Sequence, residues 1–417
     1  MKLTPFHVNR RQCLEGLLAL ATPTALSAGQ AREARAEYTL ENASLAFRFA
    51  LHQGRAVSRD LKNKLVDEIV DLPEADFALE FAGGAVTGPS EFTAHVVRKN
   101  AETIEIVYSG AVQAVADIEV RVEYSLPLSK DYLRKQLSVR QARKGVTRRL
   151  MRADLDVWKG VRRDWKSATA DVMRYGSHPI YCETMWAGVE FVAAFNTYSS
   201  QGFVLRSRPG GTTLTSGWSK LHSTVVGAAG PCQVKDAFLR YIDDVRMAPP
   251  RLVAGYNTWW TLPEIFNEKE CLALVQALVK DLHEPHGVFF DLVTADMGWS
   301  APQSIWEVNK TDFPNGLSAI VETLKPAKGK LGLWMSPSEV YAPVIDYGWA
   351  EKNGYVLVPA THDPRDSHGE GLSLADPKYL DAVKTQLRRL IEQDQLGHIK
   401  FDGFIAQEQR AHHQLLP

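Results

Sequence analysis

The chain has 417 residues, with 48 lysines and arginines against 49 aspartates and glutamates, so its formal net charge is −1. This balance argues against nucleic acid or an anionic membrane as a partner, and a hydrophobic fraction of 45% excludes a mainly disordered chain. Four cysteines in this length exclude a disulfide scaffold. The ten tryptophans are more informative, because tryptophan rings in an open pocket commonly hold sugars.

Residues 1–36 are predicted to form an export signal that is removed from the mature protein. Its positive residues are Lys2, Arg10 and Arg11. The apolar stretch over residues 14–28 is too short to span a bilayer as a helix. The sequence Ala34-Arg35-Ala36 fits a small-x-small cleavage site. We therefore expect an exported protein, periplasmic or extracellular, with no membrane partner after signal removal.

The adjacent Arg10 and Arg11 resemble a twin-arginine signal, although Cys13 and Glu15 stand where phenylalanine and lysine are common. Removal of this segment leaves three cysteines in the mature chain. They are Cys182, Cys232 and Cys271. At most one disulfide can then form, and the sequence leaves its pairing open.

Residues 37–250 are predicted to form an N-terminal antiparallel β-sandwich domain. Segments in which apolar and polar residues alternate are separated by turn residues, as in half-buried strands. These segments are TLENASLAFRFAL, FTAHVVRKNAETIEIVYSG, ADIEVRVEYSLPL, LRKQLSVRQA and GVEFVAAFNTYSSQGFVLRSRPGG. A long run of short alternating strands is typical of sheets packed face to face.

Near residue 250 the pattern changes, and apolar runs begin to alternate with helical spacing. The predicted strands are RLVAGYNTWW, GVFFDLVTAD, KGKLGLWMSP and GHIKFDGF. Asn267 with Glu270 predicts a capping box, and Asp376 before Pro377 predicts a second helix start. The predicted apolar helix faces are Cys271, Leu274, Val275, Leu278 and Leu282; Leu317, Ile320 and Leu324; and Leu380, Val383, Leu387, Leu390 and Ile391.

Repeated strand–helix units with hydrophobic strands predict a parallel sheet covered by helices, and a (β/α)8 (TIM-type) barrel is the favoured version. A complete barrel takes roughly 250 residues. Residues 251–417 supply fewer residues than this and only four of the eight strands. We therefore expect an incomplete barrel, either the truncated first half of a longer one or a half-barrel in its own right.

In a parallel barrel, catalytic residues gather at the carboxyl ends of the strands. The four predicted strands bring several polar and aromatic residues to that edge. They are Tyr256, Asn257, Trp259, Trp260, Asp296, Trp299, Trp334, Ser336, Glu339, Lys400 and Asp402. Two carboxylates, a lysine and several tryptophans in one place fit a sugar site. The structural alternatives are a strand-end cap for Asp402, a turn for Asp296, a core position for Trp334 and a solvated Lys400.

Other kinds of site find little support in the sequence. His283 and His286 are interpreted as a helix-end surface, because no third residue has the spacing of a zinc ligand. The chain has no phosphate-binding glycine loop, no Gly-x-Ser-x-Gly elbow and no dinucleotide fingerprint. No metal and no cofactor is expected.

Taken in order, these motifs resemble the α-galactosidase clan of glycoside hydrolases, families 27 and 36. GYNTWW is similar to Gly-Trp-Asn-Ser-Trp, ADMGW to Asp-Asp-Gly-Trp, and IWEVNKTDFPNGL to a segment ending Phe-Pro-x-Gly-Leu. KGKLGLWMSPSEV is similar to Gly-Leu-Trp-x-x-Pro-Glu, GLSLADPKYLDAV to Leu-Asp-x-x-Asn-Pro, and HIKFDGF to a strand with Lys-Trp/Tyr-Asp. The match covers roughly residues 253–404, and the β-rich N-terminal half also fits family 36.

The resemblance implies a retaining glycosidase in which Asp402 is the catalytic nucleophile and Lys400 contacts sugar hydroxyls. It implies that Asp296 is the first of two aspartates that hold galactose O4 and O6. It implies that Trp334 lines the pocket wall and that Trp306 lines a subsite. Trp259 and Trp299 are predicted substrate contacts because of their place at the strand ends. The implied substrate is an oligosaccharide or glycoside with a terminal α-linked sugar.

The sequence departs from this pattern at Met297, which replaces the second aspartate, and at Ser336, which replaces an acidic or aromatic residue. The family's general acid/base follows a sixth strand, which the 417 residues do not include. The chain alone is therefore expected to be nearly inactive. The alternatives are a non-catalytic carbohydrate-binding protein, a transglycosylase of the raffinose-synthase kind and a fragment that misfolds. The oligomeric state stays open.

Overall fold

The computed structural model describes residues 35–402, except residues 144, 146, 168–177, 192–193, 210, 339–343, 359–370 and 375. Most of the predicted export signal and the predicted rim residue Glu339 lie outside these described residues. Within them, no helix is long and apolar enough to cross a membrane.

The N-terminal half is built from strands, as the alternating pattern predicts. The described strands are β1 (Ala36–Glu41), β2 (Leu45–His52), β3 (Arg55–Asn63), β4 (Glu68–Leu72), β5 (Ala78–Phe81), β6 (Val86–Thr87), β7 (Phe92–Lys99), β8 (Thr103–Gly110), β9 (Ile118–Ser125), β10 (Tyr132–Gln141), β11 (Arg149–Val157), β12 (Lys166–Ser167), β13 (Ile180–Tyr181), β14 (Met185–Val189), β15 (Thr197–Ser199), β16 (Gly202–Ser207), β17 (Thr212–Thr213) and β18 (Ser219–Ala228).

These strands form three antiparallel sheets. Their orders are β1-β2-β3-β4, then β12-β13-β14-β18-β10-β9-β8-β7, and β15-β16-β11-β5-β6 with β17 also on β11. Strand β9 shows the predicted alternation of buried and half-buried residues. Its buried residues are Ile118, Val120, Val122 and Tyr124, and the residues between them are half-buried. The inward residues of all three sheets join one hydrophobic cluster. The expected antiparallel packing is confirmed, with three sheets where a simple sandwich has two.

A buried ionic cluster lies inside this β region. The ammonium of Lys135 lies 2.5 Å from Asp76 Oδ1 and 3.4 Å from Asp156 Oδ1, and Arg59 Nη1 lies 2.5 Å from Asp76. Tyr124 donates a hydrogen bond to the same aspartate. Burial raises the pKa of Asp76, but Arg59 and Lys135 outweigh it and leave that pKa lowered. Burial also raises the pKa of Asp156, and there Lys135 and Arg59 do not outweigh it, so that pKa stays raised.

The N-terminal half also contains a helix that the strand pattern did not predict, α1 (Val234–Val245). Tyr241 packs on Trp186 and Tyr132 of the large sheet, so the helix covers part of its outer face. The Tyr241 hydroxyl donates a 2.7 Å hydrogen bond to Glu190, which also receives two hydrogen bonds from Arg134. The twelve residues of this helix follow a long run of strands, and their helical spacing was not separated from the β pattern.

The C-terminal half alternates strands and helices. Its described elements are β19 (Gly255–Asn257), α2 (Glu268–Leu278), α3 (Glu284–His286), β20 (Leu292–Ala295), α4 (Ser318–Leu324), β21 (Lys330–Met335), α5 (Tyr347–Lys352), β22 (Leu357–Val358), β23 (Gly371–Leu372), α6 (Pro377–Glu392) and β24 (His398–Phe401). A π-helical turn (Val279–His283) continues α2 into α3, and a 3-10 turn (Thr258–Trp260) follows β19.

Strands β19, β20, β21 and β24 form one parallel sheet in that order. The two central strands are almost wholly buried from their second residue onward, whereas β19 and β24 are half-buried or exposed. A second hydrophobic cluster packs against this sheet. The four predicted strands are therefore present, although the described residues do not form a closed barrel. The division into domains near residue 250 stays a prediction.

Two helix starts follow the predicted chemistry. Asn267 and Glu270 form a reciprocal capping box, and the side chain of Asp376 accepts a hydrogen bond from the amide of Lys378. The predicted apolar face of α6 is partly wrong, because Ile391 is exposed and Leu380 and Leu387 are only half-buried. The buried residues of α6 are Tyr379, Val383, Gln386 and Leu390. The helix therefore turns a tyrosine toward the site region.

Some predicted strands are shorter in the structure. The segment RLVAGYNTWW supplies only the three residues of β19, because residues 251–254 are exposed and Thr258–Trp260 coils into a 3-10 turn. GVFFDLVTAD supplies only β20. The antiparallel pair β22–β23 and helix α5 lie between the third and fourth parallel strands and were not predicted. Cys182 and Cys271 are buried free thiols, and Cys232 is an exposed one.

Candidate functional site

The four parallel strands bring their carboxyl ends to one edge of the sheet, which we call the rim. Asn257 ends β19, Asp296 follows β20, Met335 ends β21 and Asp402 follows β24. Residues distant in sequence therefore meet there, as the strand alternation predicted. The backbone amide of Asp402 donates a 2.9 Å hydrogen bond to the Met335 carbonyl, which extends the strand pairing to the predicted nucleophile.

Lys400 joins the two predicted carboxylates. Its ammonium lies 2.9 Å from Oδ2 of Asp296 and 3.8 Å from Oδ2 of Asp402. The side chain of Asp296 is buried, whereas those of Lys400 and Asp402 are 35% and 38% exposed. A buried carboxylate needs a charged partner to offset its lost hydration. Lys400 supplies that partner to Asp296 and still faces the solvent beside Asp402.

A second group fixes Asp402 from the neighbouring strand. The indole N–H of Trp334 donates a 3.1 Å hydrogen bond to Oδ2 of Asp402, the same oxygen that faces Lys400. One carboxylate oxygen is thus held by an indole and an ammonium. This arrangement orients a carboxylate at an accessible edge, which is what a nucleophile in glycoside transfer requires.

Asp296 is held by its backbone as well. Its amide donates a 2.9 Å hydrogen bond to the hydroxyl of Thr258, which is buried in the turn after β19. Sequence reasoning missed Thr258, and the only signal was its position beside the strand-end Asn257. The side chain of Asn257 accepts a hydrogen bond from the amide of Trp259 and so caps that turn.

Three of the predicted sugar-binding tryptophans are buried. Trp299, Trp306 and Trp334 form a row with ring centroids 6.2 and 6.0 Å apart. The indole of Trp299 donates to the Trp334 carbonyl at 2.8 Å, and the indole of Trp306 lies 3.3 Å from the hydroxyl of Tyr379. In this structure all three side chains belong to the buried hydrophobic cluster of the C-terminal half. Their role as sugar contacts stays a prediction.

Tyr379 is a support that the sequence reasoning did not identify. Its hydroxyl donates a 2.9 Å hydrogen bond to the carbonyl of Pro337, just beyond β21. The predicted register of α6 placed Leu380 inward, so Tyr379 was not identified. Its position three residues after the capping Asp376 was the signal that could have found it. Through Tyr379, helix α6 is tied to the end of the strand that carries Trp334.

Exposed aromatic surface lies at the first strand instead. Trp259 is 48% exposed and Trp260 is 70% exposed, both in the turn after β19. The ring of Trp260 meets the ring of Tyr256 edge to face at 5.8 Å. Of the four predicted substrate-binding tryptophans, only Trp259 is therefore exposed, while Trp299, Trp306 and Trp334 are buried.

The turn after Asp296 requires a glycine. Gly298 has φ of +108°, and a Cβ at this position would lie 2.7 Å from the carbonyl oxygen of Glu264. Met297, which takes the place of the second aspartate in the resemblance, is half-buried against the hydrophobic cluster. Ser336 is fully buried. The rim therefore carries one carboxylate, and not two, in the turn after β20.

No group of three or more histidine, cysteine, aspartate or glutamate side chains in the described part of the chain could hold a metal ion. His283 lies in the π-helical turn and His286 lies in α3, and neither residue is buried. Both therefore lie at a helix end, as predicted.

No protein-family description and no curated protein matches the sequence. Solved structures do match. The GH36 α-galactosidase AgaA from Geobacillus stearothermophilus aligns over 91% of this chain and 69% of its own, with a TM-score of 0.61 and 14% identity. An α-galactosidase from Lactobacillus brevis aligns over 89% of this chain and 64% of its own, with a TM-score of 0.60 and 14% identity.

The chain has the fold of the GH36 α-galactosidases. A third structure of that fold, the galactosidase domain of the α-galactosidase-sucrose kinase AgaSK, aligns over 88% of this chain and 65% of its own, with a TM-score of 0.58 and 12% identity. The chain thus spans about two thirds of the length of these structures. At such low identity the likeness concerns the GH36 fold alone. AgaA variants were solved with raffinose and with stachyose.

Proposed function

We propose that this chain carries the nucleophile half of a retaining glycoside hydrolase acting on terminal α-linked sugars, most closely an α-galactosidase. One observation carries the proposal. On a GH36-type fold, Asp402 stands at the end of a parallel strand with one oxygen held by Trp334 and facing Lys400. The four parallel strands are proposed to be part of a (β/α)8 barrel, with the remaining strands outside residues 251–402.

In the proposed reaction, Asp402 attacks the anomeric carbon and the leaving group departs through an oxocarbenium-like transition state. A covalent glycosyl-aspartate forms, and water then hydrolyses it with retention of configuration. Lys400 and Asp296 would bind sugar hydroxyls, since an ammonium donates hydrogen bonds and a carboxylate accepts them. Asp296 is buried and lies 2.9 Å from the ammonium of Lys400, so we assign it to substrate binding.

A retaining enzyme needs a second carboxyl group about 5–5.5 Å from the nucleophile to protonate the leaving oxygen. We propose that this group, which the resemblance places after a sixth strand, is supplied from outside residues 251–402. Without such a group, turnover of ordinary glycosides is expected to be very slow, because general acid/base help contributes typically about 10²–10⁴-fold.

The test uses a substrate whose leaving group needs no proton. Incubation with α-galactosyl fluoride is expected to load Asp402, because fluoride departs without acid help, whereas hydrolysis of the adduct needs a general base. Intact-mass spectrometry then shows a gain of one hexosyl unit, and peptide mapping places it on Asp402. The Asp402→Asn variant should show no adduct. Asp346→Asn, at a half-buried helix cap, is the matched control and should load normally.

Absence of any adduct would sink the hydrolase proposal. If Asp402→Asn also bound galactosides as tightly as the parent, the non-catalytic carbohydrate-binding alternative would replace it. A sugar acceptor added to the loaded protein separates hydrolysis from the transglycosylase alternative, because transfer yields a longer oligosaccharide.

Export through a twin-arginine-like signal remains a proposal based on Arg10 and Arg11. Mass spectrometry of the protein recovered from the periplasm or medium tests it, with a mature amino terminus near Glu37 as the expected result. An intact amino terminus in a cytoplasmic fraction would contradict export.

A further inference from the structure

Strand β19 turns away from the sheet before its neighbour β20 ends. The two parallel strands pair over three residues each. At the start of this ladder, the amide of Leu292 donates a hydrogen bond to the carbonyl of Ala254. Bonds of this kind recur at every second residue along both strands. Four residues further along each strand, the amide of Asp296 is therefore expected to bond to the carbonyl of Thr258.

Thr258 meets this amide with its side chain instead. Its carbonyl accepts hydrogen bonds from the amides of Thr261 and Leu262, at 2.9 and 2.8 Å, where the chain coils into the 3-10 turn Thr258–Trp260. Its hydroxyl accepts the hydrogen bond of the Asp296 amide at 2.9 Å. One residue thus turns the chain away from the sheet and still supplies the acceptor that the end of β20 needs.

Water is a poor substitute for this hydroxyl, because both residues are buried. Thr258 is 1% exposed and Asp296 is 3% exposed. A buried amide without an acceptor is costly, so loss of the hydroxyl would favour a displacement of Asp296. The side chain of Asp296 lies 2.9 Å from the ammonium of Lys400, which lies 3.8 Å from Asp402. A displaced Asp296 would therefore also move that ammonium.

We propose that Thr258 is a positioning residue of the sugar site, a role that rests on the function proposed above. Its hydroxyl fixes the backbone of Asp296, and through it the direction of that carboxylate and the place of Lys400. Thr258 itself is too deeply buried to touch the sugar. Asp402 is held separately, by the indole of Trp334. Thr258 therefore acts on the binding of sugar hydroxyls more than on the attack at the anomeric carbon.

Three substitutions separate the hydroxyl from the shape of the side chain. Thr258→Val keeps the branched shape and removes the acceptor, whereas Thr258→Ser keeps the acceptor and removes the methyl group. Thr258→Ala removes both and is used if valine disturbs the fold. Thr323→Val is the control, because it removes a hydroxyl that donates a 2.8 Å hydrogen bond to the carbonyl of Ala319 in helix α4.

The assay measures the rate of Asp402 loading over a series of α-galactosyl fluoride concentrations. Thr258→Val should raise the half-saturating concentration about tenfold and change the maximal rate less than about threefold. Thr258→Ser should stay within about threefold of the parent in both parameters, and Thr323→Val should match the parent. A residue that only stabilises the fold would not change the two parameters differently.

Amide hydrogen exchange checks the hydrogen bond itself. In variants shown to be folded by circular dichroism, exchange at Asp296 should be faster in Thr258→Val than in the parent or in Thr258→Ser. An unchanged exchange rate overturns the proposal. Equal loading by the parent and Thr258→Val overturns it too, as does a Thr258→Ser as impaired as Thr258→Val. If neither Thr258→Val nor Thr258→Ala folds, the residue supports the fold and not the site, and the proposal fails.

The hydrolase proposal is scored separately. A parent that forms the Asp402 adduct, with Thr258→Val loading equally well, sinks only the positioning role. A parent that forms no adduct but binds galactose in a calorimetric titration sinks only the hydrolase proposal, provided that Thr258→Val weakens this binding about tenfold and Thr258→Ser does not. A parent that neither loads nor binds overturns both.

Discussion

The chain contains the same ionic arrangement twice, once in each half. Lys135 lies between Asp76 and Asp156 in the β region, and its side chain is 2% exposed. Lys400 lies between Asp296 and Asp402 at the rim, and its side chain is 35% exposed. In the first cluster, the nearby Arg59 and Tyr124 complete the pairing of Asp76. In the second, Asp402 is accessible from solvent.

The difference shows that burial, more than residue type, separates a structural ion cluster from a candidate reactive one. Removing one partner from a buried cluster leaves an uncompensated charge, so such a cluster tolerates no change. An accessible cluster has water to replace a lost partner. It can therefore exchange a protein contact for a ligand, which a binding site must do.

The largest expected effect on stability follows from removing the central lysine of the buried cluster. Lys135→Met leaves the carboxylates of Asp76 and Asp156 without their shared cation, so the free energy of unfolding should fall by about 3–5 kcal/mol. Urea unfolding followed by circular dichroism measures it. Lys62→Met, which removes an ion pair with the exposed Asp67, is the control and should cost about 1 kcal/mol or less. Equal losses in the two variants would refute the distinction.

The matching change at the rim, Lys400→Met, should affect ligand binding and adduct formation more than stability. Lys400→Met is expected to lower the free energy of unfolding by about 1–3 kcal/mol, less than Lys135→Met, because only Asp296 of its two carboxylate partners is buried while Asp402 keeps contact with water. It should nevertheless weaken galactoside binding and slow formation of the Asp402 adduct. Calorimetric titration and the fluoride assay give these two readouts. A large stability loss with unchanged binding would assign Lys400 a purely structural role.

A cluster of intermediate burial should give the smallest effect. Burial raises the pKa of Glu190, but hydrogen bonds from Arg134, Ser223 and Tyr241 outweigh it and leave that pKa lowered. A carboxyl with a lowered pKa stabilises the fold above its unfolded value, about 4.3, and this stability is lost as the pH falls through the folded pKa.

Replacing Glu190 with glutamine should therefore flatten the acid limb of the stability profile below about pH 4.3 and leave its alkaline limb unchanged. Urea midpoints measured across the pH series report it. Glu183→Gln, a change at an exposed carboxyl near the same strand, is the control. An unchanged acid limb in Glu190→Gln would show that these hydrogen bonds do not act through the carboxylate charge.

Sequence periodicity predicted the sheets because strand alternation and helix caps are local properties. Ile118 to Tyr124 and the pair Asn267–Glu270 show both signals in the structure. The rim was predictable in outline, because parallel strands must bring Asp296, Lys400 and Asp402 to one edge. The spacing could not show how deeply each side chain is buried. Whether Trp299 and Trp306 face a ligand or the core depends on loops that fold over them.

The ionic cluster of the β region escaped sequence reasoning for a related reason. The four charged residues of this cluster lie on separate segments: Arg59 and Lys135 occupy inward strand positions that alternation assigns to apolar residues, Asp76 precedes β5, and Asp156 lies in the continuously buried end of β11. Only the packing of several sheets around one interior reveals that the charges compensate one another. Helix α1 was missed because its twelve residues follow a long β pattern.

The sequence separations within the rim have a consequence for the order of folding. The contact between Lys400 and Asp296 spans 104 residues, and the contact between Trp334 and Asp402 spans 68. Closing loops of this length costs entropy before any contact rewards it. The rim therefore assembles only after β24 docks, when the three earlier parallel strands already exist. During synthesis Lys400 and Asp402 are thus the last of the described rim residues to reach their places.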